Sequence, residues 1–303
     1  MIIVTGSSGF IGSNVCKHLT SIGYEILYVD DYSIIKRYHK KVGLASDKTK
    51  FPEMESLFKA AKGVIHLGAI TDTLETDKEL LKTWNIEYSK KLWDMCVKHK
   101  VPFIYASSAA TYGDGSNGFS DETHPDKLKP LNPYGDSKNK FDKYALSKAD
   151  KAPMFWAGLK FFNVYGPNED HKGRMASMVF HGYNQIRETK KIKLFKDGEH
   201  KRDFVYVKDI CYIVEWLLKS QSVSGIFNVG SGKARSFNDL ANALFKSMMV
   251  KPNIEYIDMP KDLKKTYQSF TEADLTKLRE CGYKKSFYTL EEGVEEYINT
   301  KTK

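Results

Sequence analysis

The feature that most constrains this sequence is the passage from an apolar run into a glycine-rich loop at its amino terminus. A strand is predicted over Ile2–Gly6, and the loop Gly6-Ser7-Ser8-Gly9-Phe10-Ile11-Gly12 leads from it into a helical pattern over Ile11–Ser21. Glycines at this spacing allow a tight turn and let backbone N–H groups approach a pyrophosphate, which then faces the helix N-terminus. Because a strand and a helix flank it, the loop predicts a dinucleotide site, with the ligand-free glycine turn as the weaker alternative. The residues expected to form it are Gly6, Gly9, Phe10, Ile11 and Gly12.

Charged residues after the second predicted strand bear on the kind of dinucleotide. That strand, Glu25–Asp30, ends where an acid is expected to bind the adenosine ribose, which assigns Asp30 and the adjacent Asp31 to the cofactor. Lys36 and Arg37 follow, and a cation there could hold a 2′-phosphate, although both could equally be surface residues of a loop. The sequence therefore modestly favours NADP, with NAD as the alternative.

Strand and helix patterns alternate through the first half of the chain. Further buried strands are predicted at Gly63–Ala69, Pro102–Ser107 and Phe155–Asn163, and helices at Glu53–Ala61, Asp77–His99 and Tyr134–Leu146. This alternation predicts parallel βαβ units and an α/β fold with a doubly wound parallel (Rossmann) sheet. The segment Asp31–Phe51 gives no clear pattern.

The regular alternation of strands and helices ends after Pro167, and this predicts a second, smaller lobe. A helix near Met175–Glu188 is followed by predicted strands at Lys191–Phe195, Asp203–Val207 and Ile226–Val229. We expect a dinucleotide-binding domain over residues 1–167 with about 204–230, because the later strands are predicted to return to the first sheet. Residues 168–203 and 231–303 would form a mixed α/β substrate-binding lobe.

Composition excludes several classes of protein. Of the 303 residues, 41% are hydrophobic and 28% are charged, as in ordinary globular proteins, and no apolar run is long enough to cross a membrane. The net charge of +9 comes from scattered lysines without a basic arm, so we expect no nucleic-acid partner and a cleft suited to anionic small molecules. The amino terminus is not typical of a signal peptide, which favours the cytoplasm. The four widely spaced cysteines predict neither a metal site nor a redox pair.

A possible catalytic group lies downstream of a serine-bearing strand end. Tyr134 and Lys138 are four residues apart on one predicted helix, so they share a face, and an adjacent ammonium would lower the pKa of the phenol. Ser108 follows the strand that runs to Ser107, at the edge of the sheet where ligands bind. These residues predict oxidation of an alcohol, with Ser108 holding the hydroxyl against Tyr134 as general base.

Several stretches along the whole chain resemble one family. They are His66–Ala69, Tyr105–Gly113, Phe162–Pro167, Glu169–Ser177, Lys201–Tyr206 and Tyr267–Leu275. With the glycine loop and the Tyr-Lys pair, they are similar to the extended short-chain dehydrogenase/reductases and, within these, to the ADP-glyceromanno-heptose 6-epimerases. The His-Lys-Gly-x-Met-Ala-Ser and Tyr-Gln-x-Phe-Thr-x-Ala-Asp-Leu patterns are the most particular to that narrower family.

The resemblance implies an activity and a set of site residues. It implies an isomerase that inverts C6 of a nucleotide-linked heptose by oxidation and re-reduction with bound NADP, on the way to lipopolysaccharide or another surface glycan. We expect a homo-oligomer, although no sequence pattern indicates the oligomeric state. Tyr134 and Lys172 would be the two acid/base groups, with Lys138 tuning Tyr134. Further cofactor contacts would come from Leu67, Gly68, Ala69, Thr71, Asn85, Val164, Tyr134 and Lys138. The sugar nucleotide would meet Ser108, Asn163, Lys172, Arg174, His181, Phe195, Arg202 and Tyr267.

The sequence leaves alternatives open. Lys172 could bind a phosphate instead of acting as a base, and His181 could be a core histidine. Arg174 stands where the family commonly carries a substrate-contacting serine, and the loop 196–200 is altered, so the sugar and the nucleotide base are open. Ala109 and Ala110 stand where a dehydratase needs carboxylic acids. A 4-epimerase and a non-catalytic dinucleotide sensor remain as rival functions.

Overall fold

The centre of the fold is a parallel sheet. The computed structural model describes residues 1–31, 44–221, 223–260 and 268–301. For residues 44–46 and 52 it describes the backbone alone. In this part of the chain, seven strands pair in the order β10-β6-β5-β4-β1-β2-β3, and every pair is parallel. The strands are β1 (Ile2–Thr5), β2 (Ile26–Asp30), β3 (Leu44–Asp47), β4 (Gly63–His66), β5 (Phe103–Ser108), β6 (Trp156–Phe161) and β10 (Gly225–Val229).

Helices cover both faces of this sheet because its strands carry apolar side chains on both sides. Ile2 and Val4 of β1 pack toward α1 and α7, while Ile3 between them packs toward α2, α4 and α5, as the two-residue period of a strand requires. The helices are α1 (Phe10–Ser21), α2 (Glu55–Ala60), α3 (Lys78–Leu81), α4 (Tyr88–His99), α5 (Pro133–Ser147) and α7 (Val207–Ser220). The predicted doubly wound fold is confirmed.

The strand order reverses direction between β1 and β4, and this places the glycine loop. The segments that leave these two strands are so close that a Cβ atom on Gly6 would lie 2.5 Å from the Gly68 nitrogen. Thr5 Oγ1 and His66 Nδ1 are 2.6 Å apart and tie the two strand ends together. Ligands bind at such a switch point at the carboxyl edge of an open α/β sheet.

A smaller lobe packs beside this edge. It contains a three-stranded sheet in the order β11-β9-β7 and a strand pair β12-β8. Its apolar core lies among these strands and the helices α6, α8 and α10. The strands are β7 (Asn163–Tyr165), β8 (Ile192–Phe195), β9 (Lys201–Tyr206), β11 (Ala234–Ser236) and β12 (Ile254–Ile257), and the helices are α6 (Met178–Thr189), α8 (Phe237–Ser247), α9 (Thr276–Glu280) and α10 (Leu290–Lys301).

Some predicted elements differ from those observed. The strand expected near Asp203–Val207 is β9, which pairs with β7 and β11 and not with the parallel sheet, whereas β10 does return to that sheet. The helix expected at Asp77–His99 contains a π-helical turn at Lys82–Glu87 between α3 and α4. Strand β3 was not predicted. No helix among the described residues is long and apolar enough to span a membrane. The division into two domains at the stated residues stays a prediction.

Candidate active site

The glycine loop has the shape that a dinucleotide requires. Gly9 directly precedes α1, and Gly6 has a φ of +65°, which favours glycine. A Cβ atom on Gly12 would lie 2.0 Å from the Gly6 carbonyl oxygen, so a side chain there would push the loop away from the helix. Gly6, Gly9 and Gly12 all line the adjacent cavity, so the loop backbone borders the space open to a ligand. The loop therefore fits a pyrophosphate.

Asp30 at the end of β2 holds this loop from the other side. Its Oδ2 accepts a hydrogen bond from the Ser8 backbone nitrogen at 2.9 Å, and its Oδ1 accepts one from the Asp31 nitrogen at 2.9 Å. The carboxylate thus fixes the loop and remains part of the wall of the adjacent cavity. This is the position expected of an acid that binds a ribose.

A cavity of about 510 Å³ lies at the switch point and collects most of the predicted cofactor residues. Among the residues lining it are Gly6, Gly9, Phe10, Ile11, Gly12, Asp30, Leu67, Gly68, Ala69 and Thr71. Lys172 lines it too, although it comes from the segment beyond Pro167. The structure therefore brings the first-sheet residues and one predicted acid/base group to a single cleft.

Tyr134, Lys138 and Ser108 form a second group where β5 meets the first turns of α5. Asn132 caps α5 by accepting a hydrogen bond from the Gly135 nitrogen at 2.8 Å, which fixes the first turn that carries Tyr134. Tyr134 and Lys138 are both buried, and Lys138 Nζ donates to the Ala106 carbonyl oxygen at 3.0 Å. Ser108 hydrogen-bonds the Tyr134 side chain. The predicted trio is therefore together.

The electrostatics of this trio differ from the simplest expectation. Burial raises the pKa of Tyr134, a hydrogen bond with Ser108 lowers it, and the Asp142 carboxylate raises it. Burial also lowers the pKa of Lys138 to about 8, opposed by Asp142. The pKa of Tyr134 is therefore raised, opposite to the lowering expected from Lys138, because removing the phenol from water disfavours its charged form.

Lys172 is carried by a short segment that we call the strap, residues 169–177. The buried Glu169 anchors it by accepting hydrogen bonds from the Gly166 nitrogen and from the nitrogen and hydroxyl of Ser177. The Lys172 ammonium lies 5.4 Å from the centre of the Phe10 ring, at the start of α1. Burial lowers the pKa of Lys172, while Glu169 raises it. A lowered pKa suits a lysine to acid/base work.

Two further predicted substrate residues belong to the strap or touch it. Arg174 is exposed and pairs with Asp72, with 2.6 Å between Nη2 and Oδ2. His181 on α6 is half-buried, and its Nε2 lies 3.3 Å from the Arg174 carbonyl oxygen. His181 is thus not a core histidine, and its contact is with the strap.

The remaining predicted substrate residues lie in the small lobe. Asn163 is exposed at the start of β7, and Phe195 ends β8. Arg202 on β9 is buried, with its guanidinium 5.8 Å from the Phe237 ring and Nη1 donating to the Lys201 carbonyl oxygen at 2.9 Å. Tyr267 and Arg37 lie outside the described residues.

Asn85 and Val164 occupy structural positions near the cleft. The Asn85 amide is buried: its oxygen accepts from the Ile70 nitrogen at 2.8 Å, and its nitrogen donates to the Ile70 carbonyl at 3.0 Å and to Ser137 Oγ at 2.9 Å. It thereby joins the loop after β4 to α5. Val164 is half-buried in β7 and packs against the cores of both lobes.

The cavity wall also contains residues that were not among the predicted site residues. They include Lys48, Asp72, Trp84, His171 and Met175. Lys48 follows β3, and its ammonium lies 4.8 Å from the centre of the Trp84 ring. Its place could have been found from the rule that ligands meet strand ends, had β3 been recognised.

All four cysteines lie within the described residues. Cys16, Cys96 and Cys211 are buried, Cys281 is half-buried, and all four are free. Burial raises the pKa of each thiol, which keeps it unreactive. Among the described residues, no group of acidic, histidine or cysteine side chains is arranged to hold a metal ion.

A doubly wound sheet with this glycine loop and this Ser-Tyr-Lys group is typical of the extended short-chain dehydrogenase/reductases. The chain belongs to the NAD dependent epimerase/dehydratase family, whose model matches residues 2–230. Two similar relatives are named ADP-L-glycero-D-manno-heptose-6-epimerase. The one from Fusobacterium nucleatum is 45% identical over 98% of this chain and 97% of its own, and the one from Nitratidesulfovibrio vulgaris is 45% identical over the same shares.

A solved structure agrees with these relatives. The crystal structure of the Helicobacter pylori ADP-L-glycero-D-manno-heptose-6-epimerase is similar to this chain with a TM-score of 0.84 and 28% identity, covering 99% of this chain and 95% of that one. The resemblance deduced from the sequence motifs is therefore confirmed at the level of the family.

Proposed function

We propose that this protein is an NADP-dependent ADP-glycero-manno-heptose 6-epimerase, an isomerase that inverts C6 of the heptose through a transient ketone. The observation that carries the proposal is the presence of two acid/base groups from two lobes. Tyr134 lies in the first turn of α5, and Lys172 reaches the dinucleotide cleft from the strap. The relatives, at 45% identity over almost the full length, support the choice of substrate.

Tyr134 acts as general base on one face of the sugar. Its phenolate takes the proton of the C6 hydroxyl, while Ser108, which hydrogen-bonds Tyr134, also binds the same oxygen. Lys138 lies four residues along the same helix face, from where it would orient the nicotinamide ribose. When bound, NADP would supply the hydride transfer that oxidation and re-reduction of C6 require. The glycine loop and Asp30 hold its pyrophosphate and ribose.

Lys172 serves the opposite face. Inversion requires the ketone to be reduced on the face from which no hydride was taken, so the new hydroxyl needs a proton donor elsewhere than Tyr134. Burial lowers the pKa of Lys172, which makes its ammonium a better acid than an exposed lysine. A single base would suffice for a 4-epimerase in which the sugar ring turns over, so the second group favours 6-epimerisation.

The preference for NADP rests on Lys48. It lines the same cavity as Asp30 and lies over Trp84, where an ammonium could bind a 2′-phosphate. Both oxygens of Asp30 already accept backbone hydrogen bonds, which reduces their repulsion of that phosphate. Lys48→Met should weaken NADP binding about tenfold or more and leave NAD binding unchanged in a fluorescence titration, and equal losses for both would favour NAD.

The decisive experiment is to incubate the purified protein with ADP-D-glycero-D-manno-heptose and follow C6 by NMR. Appearance of the L-glycero epimer without added cofactor supports the proposal and shows that the cofactor travels with the protein. If no conversion occurs but NADP is released on denaturation, the heptose assignment fails, and other sugar nucleotides are then the substrates to test.

Three broader assignments complete the proposal. We place the enzyme in the cytoplasm, with cofactor bound by residues 1–167 and about 204–230 and substrate bound by the remainder. We also expect a homo-oligomer. Light scattering on the cofactor-loaded protein would measure its mass, and a monomer would contradict that last assignment.

A further inference from the structure

A buried carboxylate lies along the same helix face as the catalytic pair. Tyr134, Lys138 and Asp142 follow each other at intervals of four residues in α5, so their side chains line one face. Asp142 is completely buried. A carboxylate in such a place is costly unless charges and hydrogen bonds compensate it.

The compensation comes from the two neighbouring strands. Tyr105 and Ser107 of β5 donate hydrogen bonds to Asp142 at 3.0 and 2.7 Å. Lys160 of β6 forms an ion pair with it at 3.1 Å and is itself 1% exposed. Lys160 Nζ also bonds Thr111 Oγ1 at 2.6 Å and lies 4.7 Å from the Tyr112 ring centre.

This network is joined to the catalytic trio by the backbone. The Ala106 carbonyl, which accepts from Lys138, lies between the two residues of β5 that bind Asp142. The Thr111 hydroxyl donates to the Ser108 carbonyl oxygen at 2.8 Å, so Lys160 also reaches the catalytic serine through one intermediate residue. A change at Asp142 would thus be felt at both ends of the trio.

We propose that Asp142, held by Lys160, is the buried counter-ion of the Tyr134–Lys138 pair, a positioning residue that keeps the Lys138 ammonium charged in a buried site. The proposal goes beyond the assigned reaction, since it holds for any alcohol that Tyr134 oxidises. Neither Asp142 nor Lys160 is expected to touch the sugar or the cofactor.

The groups around Lys138 leave this role to Asp142. Burial lowers the pKa of Lys138 to about 8, and Asp142 opposes that fall. From β4, His66 faces the lysine, but burial lowers the pKa of its imidazole to about 3, so it is neutral. Asp142 itself is contacted from β5 by the uncharged hydroxyls of Tyr105 and Ser107, and from β6 by the Lys160 ammonium.

The direct test is a pH titration of the Lys138 ammonium by NMR, in protein with isotope-labelled lysine and bound cofactor. Its signal is identified by its absence in Lys138→Met. Asp142→Asn keeps the size of the side chain and removes its charge, so the Lys138 midpoint should fall by about one pH unit. Lys160→Arg, which keeps the positive charge opposite Asp142, should leave it in place. An unmoved midpoint in a folded Asp142→Asn protein overturns the proposal.

Lys160→Met is the second variant if Asp142→Asn does not fold. Without its partner, Asp142 either keeps its charge and raises the Lys138 midpoint or takes up a proton and lowers it, so an unchanged midpoint again overturns the proposal. The matched control is Asp203→Asn. Asp203 is equally buried and accepts hydrogen bonds from Ser231 and the Ala273 nitrogen, in the small lobe. Its loss should lower stability and leave Lys138 unaffected.

Activity provides a separate readout. If the epimerase reaction is established, the limb of its pH profile that reports Tyr134 should move to lower pH in Asp142→Asn, because removing the carboxylate lowers the pKa of the phenol. A purely structural role would lower kcat with that limb in place and would contradict the proposal. The NMR titration needs no sugar, so it distinguishes failure of this inference from failure of the assigned reaction.

Discussion

Arg174 and Asp72 join the two lobes across the mouth of the dinucleotide cleft. Arg174 Nη2 donates to Asp72 Oδ2 at 2.6 Å, from the strap to the loop that follows β4. The same strap carries Lys172, and the same loop lines the cofactor cavity. The arginine is 66% exposed, so the pair is a weak link that salt can screen. Arg174, which we expected to contact the sugar, therefore forms an ion pair within the protein instead.

Arg174→Ser should speed the dissociation of the cofactor by up to about fivefold, because an exposed ion pair contributes about 0.2–1 kcal/mol. Stopped-flow fluorescence of the reduced nicotinamide would measure it at low salt. At about 1 M salt, where screening acts over about 3 Å, the two proteins should converge. Arg187→Ser, which removes an arginine paired with Glu188 on α6, is the control and should release cofactor like the unmodified protein. Identical rates for Arg174→Ser at low salt would show that the pair does not close the cleft.

Lys172→Met tests whether this lysine is a base or a phosphate ligand. An acid/base role predicts that kcat falls about 10²–10⁴-fold with little change in KM, whereas loss of a phosphate contact raises KM. Steady-state kinetics with the heptose substrate would separate the two. Lys191→Met, an exposed change at the end of α6, should leave both constants unchanged. A large rise in KM alone would remove Lys172 from the proton transfers.

Tyr134→Phe should reduce epimerisation by a similar factor while cofactor binding stays intact. The ring keeps its place in the core beside Ser108, and only the proton-accepting oxygen is lost. Cofactor binding is measured by fluorescence titration and turnover by NMR. Tyr144→Phe is the matched control. Tyr144 lies on the outer side of the same helix, and its hydroxyl donates a hydrogen bond to Asp94 of α4. Full activity in Tyr134→Phe would exclude the phenol as the base.

Features that depend on local chain geometry were predictable from the sequence. The shape of the Gly6–Gly12 loop could be predicted, because only glycine tolerates these close contacts. The four-residue spacing of Tyr134 and Lys138 likewise places both on one helix face. These motifs were sufficient to predict the parallel sheet, the family and most of the residues that line the cavity. The side chains of that wall are fixed by backbone contacts within one or two elements.

Features that depend on distant pairing were not predictable. Strand β3 reads Leu-Ala-Ser-Asp, which has neither a long apolar run nor an alternation, and it forms because β2 offers a partner. Lys48 lines the cavity because it directly follows β3, which pairs with β2. Arg174 was expected at the sugar, but its ion pair with Asp72 joins residues far apart in the chain. Likewise, the effect of burial on Tyr134 depends on packing that spacing alone does not show.

The substitution Gly12→Ala would raise the helix propensity of α1 but would also create a steric clash. Gly12 lies in the first turn of α1, where alanine is intrinsically favoured over glycine by about 1 kcal/mol. The new Cβ would, however, lie 2.0 Å from the Gly6 carbonyl oxygen, which is backbone and cannot swing aside. The loop must move, so dinucleotide binding should weaken at least about tenfold and the melting temperature should fall. Lys17→Ala, on the exposed face of the same helix, should change neither; normal binding by Gly12→Ala would mean that the loop tolerates the shift.

Asp209 should give the stability of this protein an unusual dependence on pH. It is completely buried near the start of α7, where its Oδ2 accepts from the Tyr288 nitrogen at 3.1 Å and its Oδ1 has no hydrogen-bond partner among the described residues. Burial raises its pKa to about 7, against a value of about 3.9 in an unfolded chain. The folded protein therefore binds a proton that the unfolded chain releases.

From this it follows that Asp209 lowers the free energy of unfolding as pH rises between these two values, by about 1.4 kcal/mol per pH unit, and its full cost is present above pH ~7. Asp209→Asn should remove this contribution, so its advantage over the unmodified protein should grow from pH 5 to pH 7 and then level off. Urea unfolding at a series of pH values would measure the difference. Asp258→Asn, an exposed change, should run parallel to the unmodified protein at every pH. A constant offset for Asp209→Asn would mean that this carboxyl is ionised in the fold at both pH values.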